Sequence, residues 1–302
     1  MRTKDLSIFQ KIEGEAQYEC QELHKALAPW SISSAKVAKR CSRNFRWKYI
    51  ERRDADEGVE TKTDATKVGS AMHKIYEDMV EAGYAKEQAR EIAVKEQELG
   101  SDALESFKTP YDGVDWFMHN FKVLVRNKVL RDGESPKLLE ELVQGQRILV
   151  EHRFSLDSEF NDLPGDFFNN TGNCFLRGVI DLMLLTKDNG AIILDHKSSP
   201  QPFLKHFLSQ LGAYTVAAFA MFPHLEWVQC GVHFMPIKTV KFSNLVLRKD
   251  FDKEKEKLYY FLSQSANNAL EDTYKTGNHC NWCPYINTCK LQRKRKPRKK
   301  KS

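Results

Sequence analysis

Apolar residues in the first half of the chain recur every three or four positions, which is the spacing of one face of an α-helix. The clearest stripe consists of Val68, Met72, Ile75 and Met79. Amphipathic helices are predicted over about 33–49, 68–82, 86–98 and 114–130. Ser33 or Ser34 can cap the first of them. This half of the chain is therefore expected to be mainly helical.

The spacing changes from residue 148 onward, where Ile148, Val150, Phe154 and Leu156 come close to the two-residue period of a strand. Further strands are predicted over 174–186, 191–196 and 228–235, and helices over 203–222 and 250–270. The turn-forming residues at 187–190 predict a hairpin between the second and third strands. This order predicts an α/β (α+β) fold with a small mixed sheet flanked by helices.

The chain has 302 residues, and its 41% apolar and 11% aromatic content is enough for a sizeable buried core. We expect five segments along it. They are an N-terminal extension at 1–30, a mainly helical region at 31–145, a sheet-bearing core at 146–275, a cysteine-rich loop at 276–289 and a basic tail at 290–302.

The net charge of +6 is unevenly distributed. Residues 290–302 contain nine Lys or Arg and no acid, so the rest of the chain carries 38 basic and 41 acidic side chains. With no apolar partner beyond Leu291, the tail is expected to stay solvated and to attract nucleic-acid phosphates. A solubility tail or a nuclear-localisation-like signal would have the same composition.

No part of the chain approaches the roughly 18 to 20 consecutive apolar residues of a membrane span, and its start lacks the apolar core of a signal peptide. We therefore expect a soluble, cytoplasmic protein without a membrane partner. Seven cysteines in such a protein favour metal binding or free thiols over a disulfide framework.

Two aspartates and a lysine follow apolar runs of neighbouring predicted strands. Asp181 lies among apolar neighbours, and Asp195 directly follows Ile192-Ile193-Leu194. Either aspartate alone is more typical of a strand end that faces water. Joined by a short hairpin, however, the two can lie side by side and share a cation. Lys197 is two residues beyond Asp195, so both side chains leave the same face of the strand.

Three other polar residues suggest the same site. His73 lies beside the apolar stripe of its helix, where a histidine with only a local hydrogen bond would be the ordinary explanation. Gln210 and Tyr214 are one helical turn apart in the helix that follows Lys197. A divalent-metal phosphodiesterase needs such a combination of hard oxygens, one imidazole and an ammonium group.

This arrangement resembles the PD-(D/E)xK nuclease superfamily and, within it, the RecB-like exonucleases, including the CRISPR-associated adaptation nucleases of that type. The resemblance covers about residues 31–290 and implies that 146–275 is a restriction-endonuclease-like nuclease core. It implies metal ligation by His73, Asp181 and Asp195, together with the backbone carbonyl of His196. Lys197 resembles the family's catalytic lysine, and Gln210 and Tyr214 its substrate-positioning helix. Glu151 sits where such nucleases often have an acid before the first sheet motif.

Three cysteines within ten residues, Cys280, Cys283 and Cys289, have the spacing of soft-metal ligands but are one short of the usual four thiolates. The resembling branch typically takes its fourth cysteine from a helix near the start of the chain, which implies Cys41 and a [4Fe-4S] cluster. Ser42 stands where that branch usually has proline. Zinc, with His279 as an alternative fourth ligand, remains the competing interpretation.

The resemblance thus implies a metal-dependent DNA exonuclease that uses one or two Mg²⁺ or Mn²⁺ ions on single strands or free ends, in DNA repair, recombination or end processing. Two alternatives stay open. One is a catalytically silent nucleic-acid-binding subunit, and the other is a partner-dependent factor that trims ends for DNA integration. The basic residues between the aromatics of 33–49 suit a nucleic-acid channel or an ordinary amphipathic helix equally well.

Overall fold

The computed structural model describes Leu27 and residues 29–59, 64–80, 85–113, 148–270 and 276–289. Three predicted segments lie outside the described residues. They are the N-terminal extension up to residue 26, the helix at 114–130 and the basic tail from 290.

The described part of the first half is helical, as predicted. Its elements are α1 (Ile32–Arg40), α2 (Ser42–Phe45) with a π-helical turn at Arg46–Ile50, α3 (Asp64–Val80), α4 (Lys86–Glu96) and α5 (101–113). The cap of α1 is Ser31, whose side chain accepts a hydrogen bond from the backbone N–H of Ser34. The prediction that Ser33 or Ser34 is the cap was therefore wrong.

The single helix predicted over 33–49 is interrupted at Cys41. This residue has an extended backbone, with φ of −159° and ψ of 107°, and ends α1 before α2 begins. Helical spacing of the apolar residues continues across the break, so the interruption leaves no mark on the hydrophobic pattern.

The second half contains the sheet and two long helices. Its elements are β1 (Ile148–Leu156), β2 (Leu176–Leu185), β3 (Gly190–Lys197), α6 (Leu208–Met221), β4 (Trp227–Phe234), β5 (Thr239–Phe242), β6 (Val246–Leu247) and α7 (Phe251–Leu270). The strands predicted from the pattern are confirmed, and the short β5 and β6 are additions to it.

The sheet is mixed, in the order β1-β2-β3-β4-β5, with β6 also paired to β4. Only the β3–β4 pair is parallel, and the other pairs of this described sheet are antiparallel. Parallel strands need a crossover, and α6 provides it between β3 and β4. The predicted α/β class, a small mixed sheet flanked by helices, is confirmed.

The core beside the sheet is formed by the apolar faces of α3 and α4. Val68, Met72 and Ile75, three members of the predicted stripe, are buried against Leu182 and Leu194 in one hydrophobic cluster. At roughly 1.5 to 3 kcal/mol for each large apolar side chain buried, this packing fixes α3 on the sheet. Because His73 is on α3, the same packing determines where its imidazole lies.

The described residues divide into two compact units, one formed by residues 64–259 and the other by residues up to 59 together with 260–289. These boundaries follow packing and differ from the five segments expected from the sequence. The helix α3, in particular, is in the same unit as the sheet. In the described part of the chain, no helix combines the length and the apolar character that a membrane span requires.

Candidate active site

Three carboxylates from adjacent strands lie in one row. The pairs Val150–Leu182 and His152–Ile180 place Glu151 of β1 opposite Asp181 of β2. The last pair between β2 and β3 is Leu182–Leu194, and continuing this register brings Asp195 opposite Asp181. Since side chains on paired strands share a face at matching positions, Asp181 and Asp195 leave the sheet on the same side, and Glu151 is at the matching position of β1.

His73 extends from α3 to this row. Its Nδ1 atom lies 2.9 Å from Oε1 of Glu151 and 3.7 Å from Oδ1 of Asp181. Among the described residues, these three form the group of His, Cys, Asp or Glu side chains whose ligand atoms all lie within 4.8 Å of one another. An imidazole and two carboxylates at this separation can hold one divalent cation.

Asp181 is buried, and its Oδ2 atom accepts a hydrogen bond of 2.7 Å from the backbone N–H of His196. Burial, followed by repulsion from the charge of Asp195, raises the pKa of Asp181 to about 7. A carboxyl group that is costly to ionise for these reasons becomes easier to ionise when a cation lies beside it.

The neighbouring acids favour the charged form of His73, whereas the charge of Asp195 disfavours the charged form of Asp181. Burial lowers the pKa of His73, but the carboxylates of Asp181 and Glu151 outweigh burial and raise that pKa to about 9. At neutral pH the imidazolium therefore partly neutralises the acidic row. A metal ion that took its place would have to displace this proton.

Asp195 has no exposed surface, and protein groups surround its carboxylate. Gln210 Nε2 donates to Oδ1 over 2.8 Å, while the hydroxyl of Tyr214 lies 3.4 Å from the same oxygen and accepts from Gln210. The other oxygen, Oδ2, forms an ion pair of 2.7 Å with Nζ of Lys197. Gln210 and Tyr214 of α6 thus hold one oxygen of Asp195, and the other oxygen lies beside the ammonium group of Lys197.

Lys197 remains protonated in this setting. Burial lowers the pKa of Lys197, but the charges of Asp195 and Asp181 outweigh burial and raise it above its usual range. The result is a permanent positive charge beside two carboxylates, which suits the stabilisation of a developing negative charge on phosphate.

Glu151 adopts a left-handed backbone, with φ of 45°, in the middle of β1. This conformation is uncommon for residues with a side chain and typically costs on the order of 1–3 kcal/mol. The surrounding pairs of β1 and β2 keep their register on both sides. The distortion redirects one side chain, and that side chain is the carboxylate within hydrogen-bond distance of His73.

The ring of His196 contributes to the support of the site, which the sequence did not indicate. It stacks on Tyr76 with 4.3 Å between ring centroids, and its Nδ1 lies 3.0 Å from Nδ1 of His233. Tyr76 is three residues after His73, so it lies on the same side of α3. The spacing from His73 could have predicted from the sequence that Tyr76 lies near the site. The contact with His233 could not be predicted in this way, because it depends on the β3–β4 register. The predicted role of the His196 carbonyl as a metal ligand stays a prediction.

The four cysteines singled out in the sequence belong to the other compact unit. Burial raises the pKa of the Cys41 thiol, and Cys280 and Cys289 are close enough to raise it further. Burial likewise raises the pKa of Cys283, whose Sγ lies 3.5 Å from the donating Nδ2 of Asn44. These mutual effects place Cys41 close to the loop at 280–289.

Comparison with known proteins agrees with this geometry. A search of curated proteins finds no match. A scan against family models finds the PD-(D/E)XK nuclease superfamily over residues 29–290, a range that extends over both compact units and includes each of the site residues described above. The chain belongs to the PD-(D/E)XK nuclease superfamily.

Proposed function

We propose that this protein is a metal-dependent DNA exonuclease, acting on single strands or free ends in DNA repair, recombination or end processing. The observation that supports its catalytic part is the row of Glu151, Asp181 and Asp195, with Lys197 ion-paired to one end and His73 hydrogen-bonded to the other. Preference for DNA and for ends is supported by the resemblance to RecB-like exonucleases.

The donor set fits Mg²⁺ or Mn²⁺. Carboxylate oxygens with a single imidazole are the ligands of hard to borderline divalent ions. Burial, followed by the charge of Asp195, raises the pKa of Asp181, and a cation beside this carboxyl group would offset both effects. We assign His73, Asp181 and Asp195 as ligands of one or two ions, with the His196 carbonyl, and add Glu151 on the strength of its position. Such an ion lowers the pKa of a bound water and polarises the phosphate.

The protein's own groups then have separate tasks. Lys197 presents its ammonium to the phosphate oxygen on which negative charge develops, and the adjacent acids keep it protonated. Gln210 and Tyr214 hold one oxygen of Asp195, so the carboxylate cannot rotate. The stack of Tyr76 on His196 holds β3 against α3 and thereby maintains the distance between Asp181 and His73.

We further propose that Cys41, Cys280, Cys283 and Cys289 hold a [4Fe-4S] cluster as a structural link between distant parts of the chain. The proximity of Cys41 to the loop at 280–289 supplies the fourth thiolate that such a site needs. The choice of an iron–sulfur cluster over zinc is supported by the resemblance to the RecB-like branch.

The test is cleavage of end-labelled single- and double-stranded DNA by anaerobically purified protein, in Mn²⁺ and in EDTA. We expect shortening from ends in Mn²⁺ and none in EDTA. Lys197→Ala or Asp195→Ala should lower the rate on the order of a hundredfold or more while DNA binding persists. Lys253→Ala, which removes an exposed lysine from α7, is the matched control and should cleave like the wild type.

Other outcomes would contradict particular parts of the proposal. Cleavage at near the wild-type rate in both site variants would place the active site elsewhere. Binding without cleavage in any metal would favour the catalytically silent subunit. Internal cleavage of circular single strands would contradict the requirement for ends.

A further inference from the structure

A tryptophan in the cysteine loop is unusually exposed. Trp282 lies between Cys280 and Cys283 at the end of a short 3₁₀ helix, Asn278–Trp282, and 73% of its surface is accessible. This is the highest value among the large apolar side chains of the described residues. Tryptophan is highly buried on average, so an indole presented to solvent suggests a binding role.

The loop that carries Trp282 is firmly attached, so its exposure does not reflect a loose chain. The carboxylate of Asp56 accepts hydrogen bonds from the backbone N–H groups of Asn287 and Thr288 over 2.6 and 2.9 Å. The hydroxyl of Tyr285 donates to the Arg53 carbonyl, and its ring packs edge-on against Trp47 with centroids 5.2 Å apart. These contacts are made by residues between Cys283 and Cys289, and they hold the loop on the segment that contains Trp47, Arg53 and Asp56.

Trp47, one of the residues that contact the loop, belongs to a strongly basic segment. Residues 32–50 contain six Lys or Arg and no acid. Among them, Lys39, Arg40 and Lys48 are exposed. Two guanidinium groups lie close to the Trp47 ring, with Arg43 at 5.7 Å and Arg53 at 4.9 Å from its centroid. The partner that suits an exposed indole beside such a surface carries regular negative charge and flat aromatic faces.

We infer that Trp282 is a base-stacking platform for single-stranded nucleic acid, with the basic segment 32–50 contacting the phosphates. This inference rests on the proposed function because it concerns the substrate of the same protein. Stacking on an aromatic side chain requires a base free of its complementary strand, so the platform would discriminate single strands from duplex. It would also read no particular sequence, because every base has a π-face.

The experiment measures binding of the full-length, anaerobically purified protein to fluorescent oligonucleotides in EDTA, where no cleavage occurs. The probes are an oligo-dT strand, an abasic strand of the same length and a blunt duplex. Trp282→Ala and Trp282→Leu remove the aromatic face, and Leu keeps apolar bulk. Tyr260→Ala removes another exposed aromatic, on α7, whose hydroxyl accepts from Gln264, and serves as the matched control.

Both Trp282 variants should bind oligo-dT about 5- to 160-fold more weakly, the range expected for loss of one stacked base. Their affinities for the abasic strand and the duplex should match the wild type, and so should the salt dependence of oligo-dT binding, because the phosphate contacts are unchanged. Tyr260→Ala should alter none of these affinities. Visible absorbance of each protein reports whether the cysteine loop remains intact.

An unchanged affinity of both variants for oligo-dT would overturn the inference. So would equal losses on oligo-dT and the abasic strand, since these would indicate damage to the loop or an effect on phosphate binding. Because binding is read in EDTA, the result does not depend on catalysis. If the wild type bound oligo-dT without cleaving it in Mn²⁺, the proposed nuclease activity would fail while the stacking platform stood.

Discussion

Replacing Asp181 by Asn should stabilise the metal-free protein at alkaline pH while abolishing cleavage. Burial, followed by the charge of Asp195, raises the pKa of Asp181 from 3.8 to about 7. A folded-state pKa above the unfolded value means that the folded protein binds this proton more tightly. The free energy of unfolding therefore falls as pH rises from about 4 to about 7, and the full cost is present at pH 8.

The magnitude follows from the two pKa values. Their difference corresponds to on the order of 4 kcal/mol. Relaxation of the protein around the ionised carboxylate reduces the gain, so we expect the Asn variant to be more stable by about 2 to 4 kcal/mol at pH 8. The amide oxygen of Asn can still accept the hydrogen bond from the His196 N–H. The substitution thus removes the charge with little change in shape.

Urea unfolding in EDTA at pH 5 and pH 8 measures the effect. The stability advantage of Asp181→Asn should grow between the two pH values, whereas Glu256→Gln, at an exposed position of α7, should show no such growth. Adding Mn²⁺ should raise the unfolding midpoint of the wild type and leave that of the Asn variant unchanged. An Asn variant that is less stable than the wild type at pH 8, or whose advantage is the same at both pH values, would refute the reasoning.

Three further predictions concern other parts of the chain. Gln210→Leu should lower the cleavage rate about 10- to 100-fold, because Asp195 loses its shorter side-chain hydrogen bond. Gln264→Leu, which removes a half-buried amide from α7, should cleave normally. Equal rates of the Gln210 variant and the wild type in a steady-state assay would count against the positioning role. The wild type, purified anaerobically, should be brown, and Cys41→Ser should abolish its visible absorbance and lower its thermal unfolding midpoint. A colourless wild type with stoichiometric zinc by metal analysis would contradict the cluster. Truncation after Cys289 should reduce the slope of log affinity against log salt by a few units, because each phosphate contact on a single strand contributes roughly 0.7 to that slope. An unchanged slope in binding titrations would show that the tail does not contact DNA.

The sheet and its row of acids were largely predictable. Strands buried on both faces read as continuous apolar runs. Asp181 interrupts such a run within β2, Asp195 ends another near the end of β3, and a short turn joins the two strands. Sequence alone therefore indicated that the two carboxylates would be neighbours. Lys197 is two residues after Asp195, and because side chains alternate along a strand, the sequence also predicted that the two leave the same face.

Other features depend on contacts that no local pattern records. The β1–β2 pairs that precede and follow Glu151 maintain its left-handed backbone, and nothing in Val150-Glu151-His152 predicts this conformation. The helix break at Cys41 lies within a continuous helical spacing of apolar residues. The stack of Tyr76 on His196 arises only when α3 packs on the sheet. In each case tertiary packing outweighs local preference.

The length of the hairpin turn between β2 and β3 determines the register in which Asp195 lies opposite Asp181. That length is fixed by Thr186 and Asp188, which bond to the Gly190 N–H and to the Trp227 indole over 3.0 and 3.2 Å, and by Gly190 itself, where a Cβ would lie 2.0 Å from that indole. Adding or removing one residue here would shift β3 by one position and send Asp195 to the opposite face of the sheet. Surface turns usually tolerate insertions during divergence. In this protein such a change would silence the enzyme although every chemically active residue was still present.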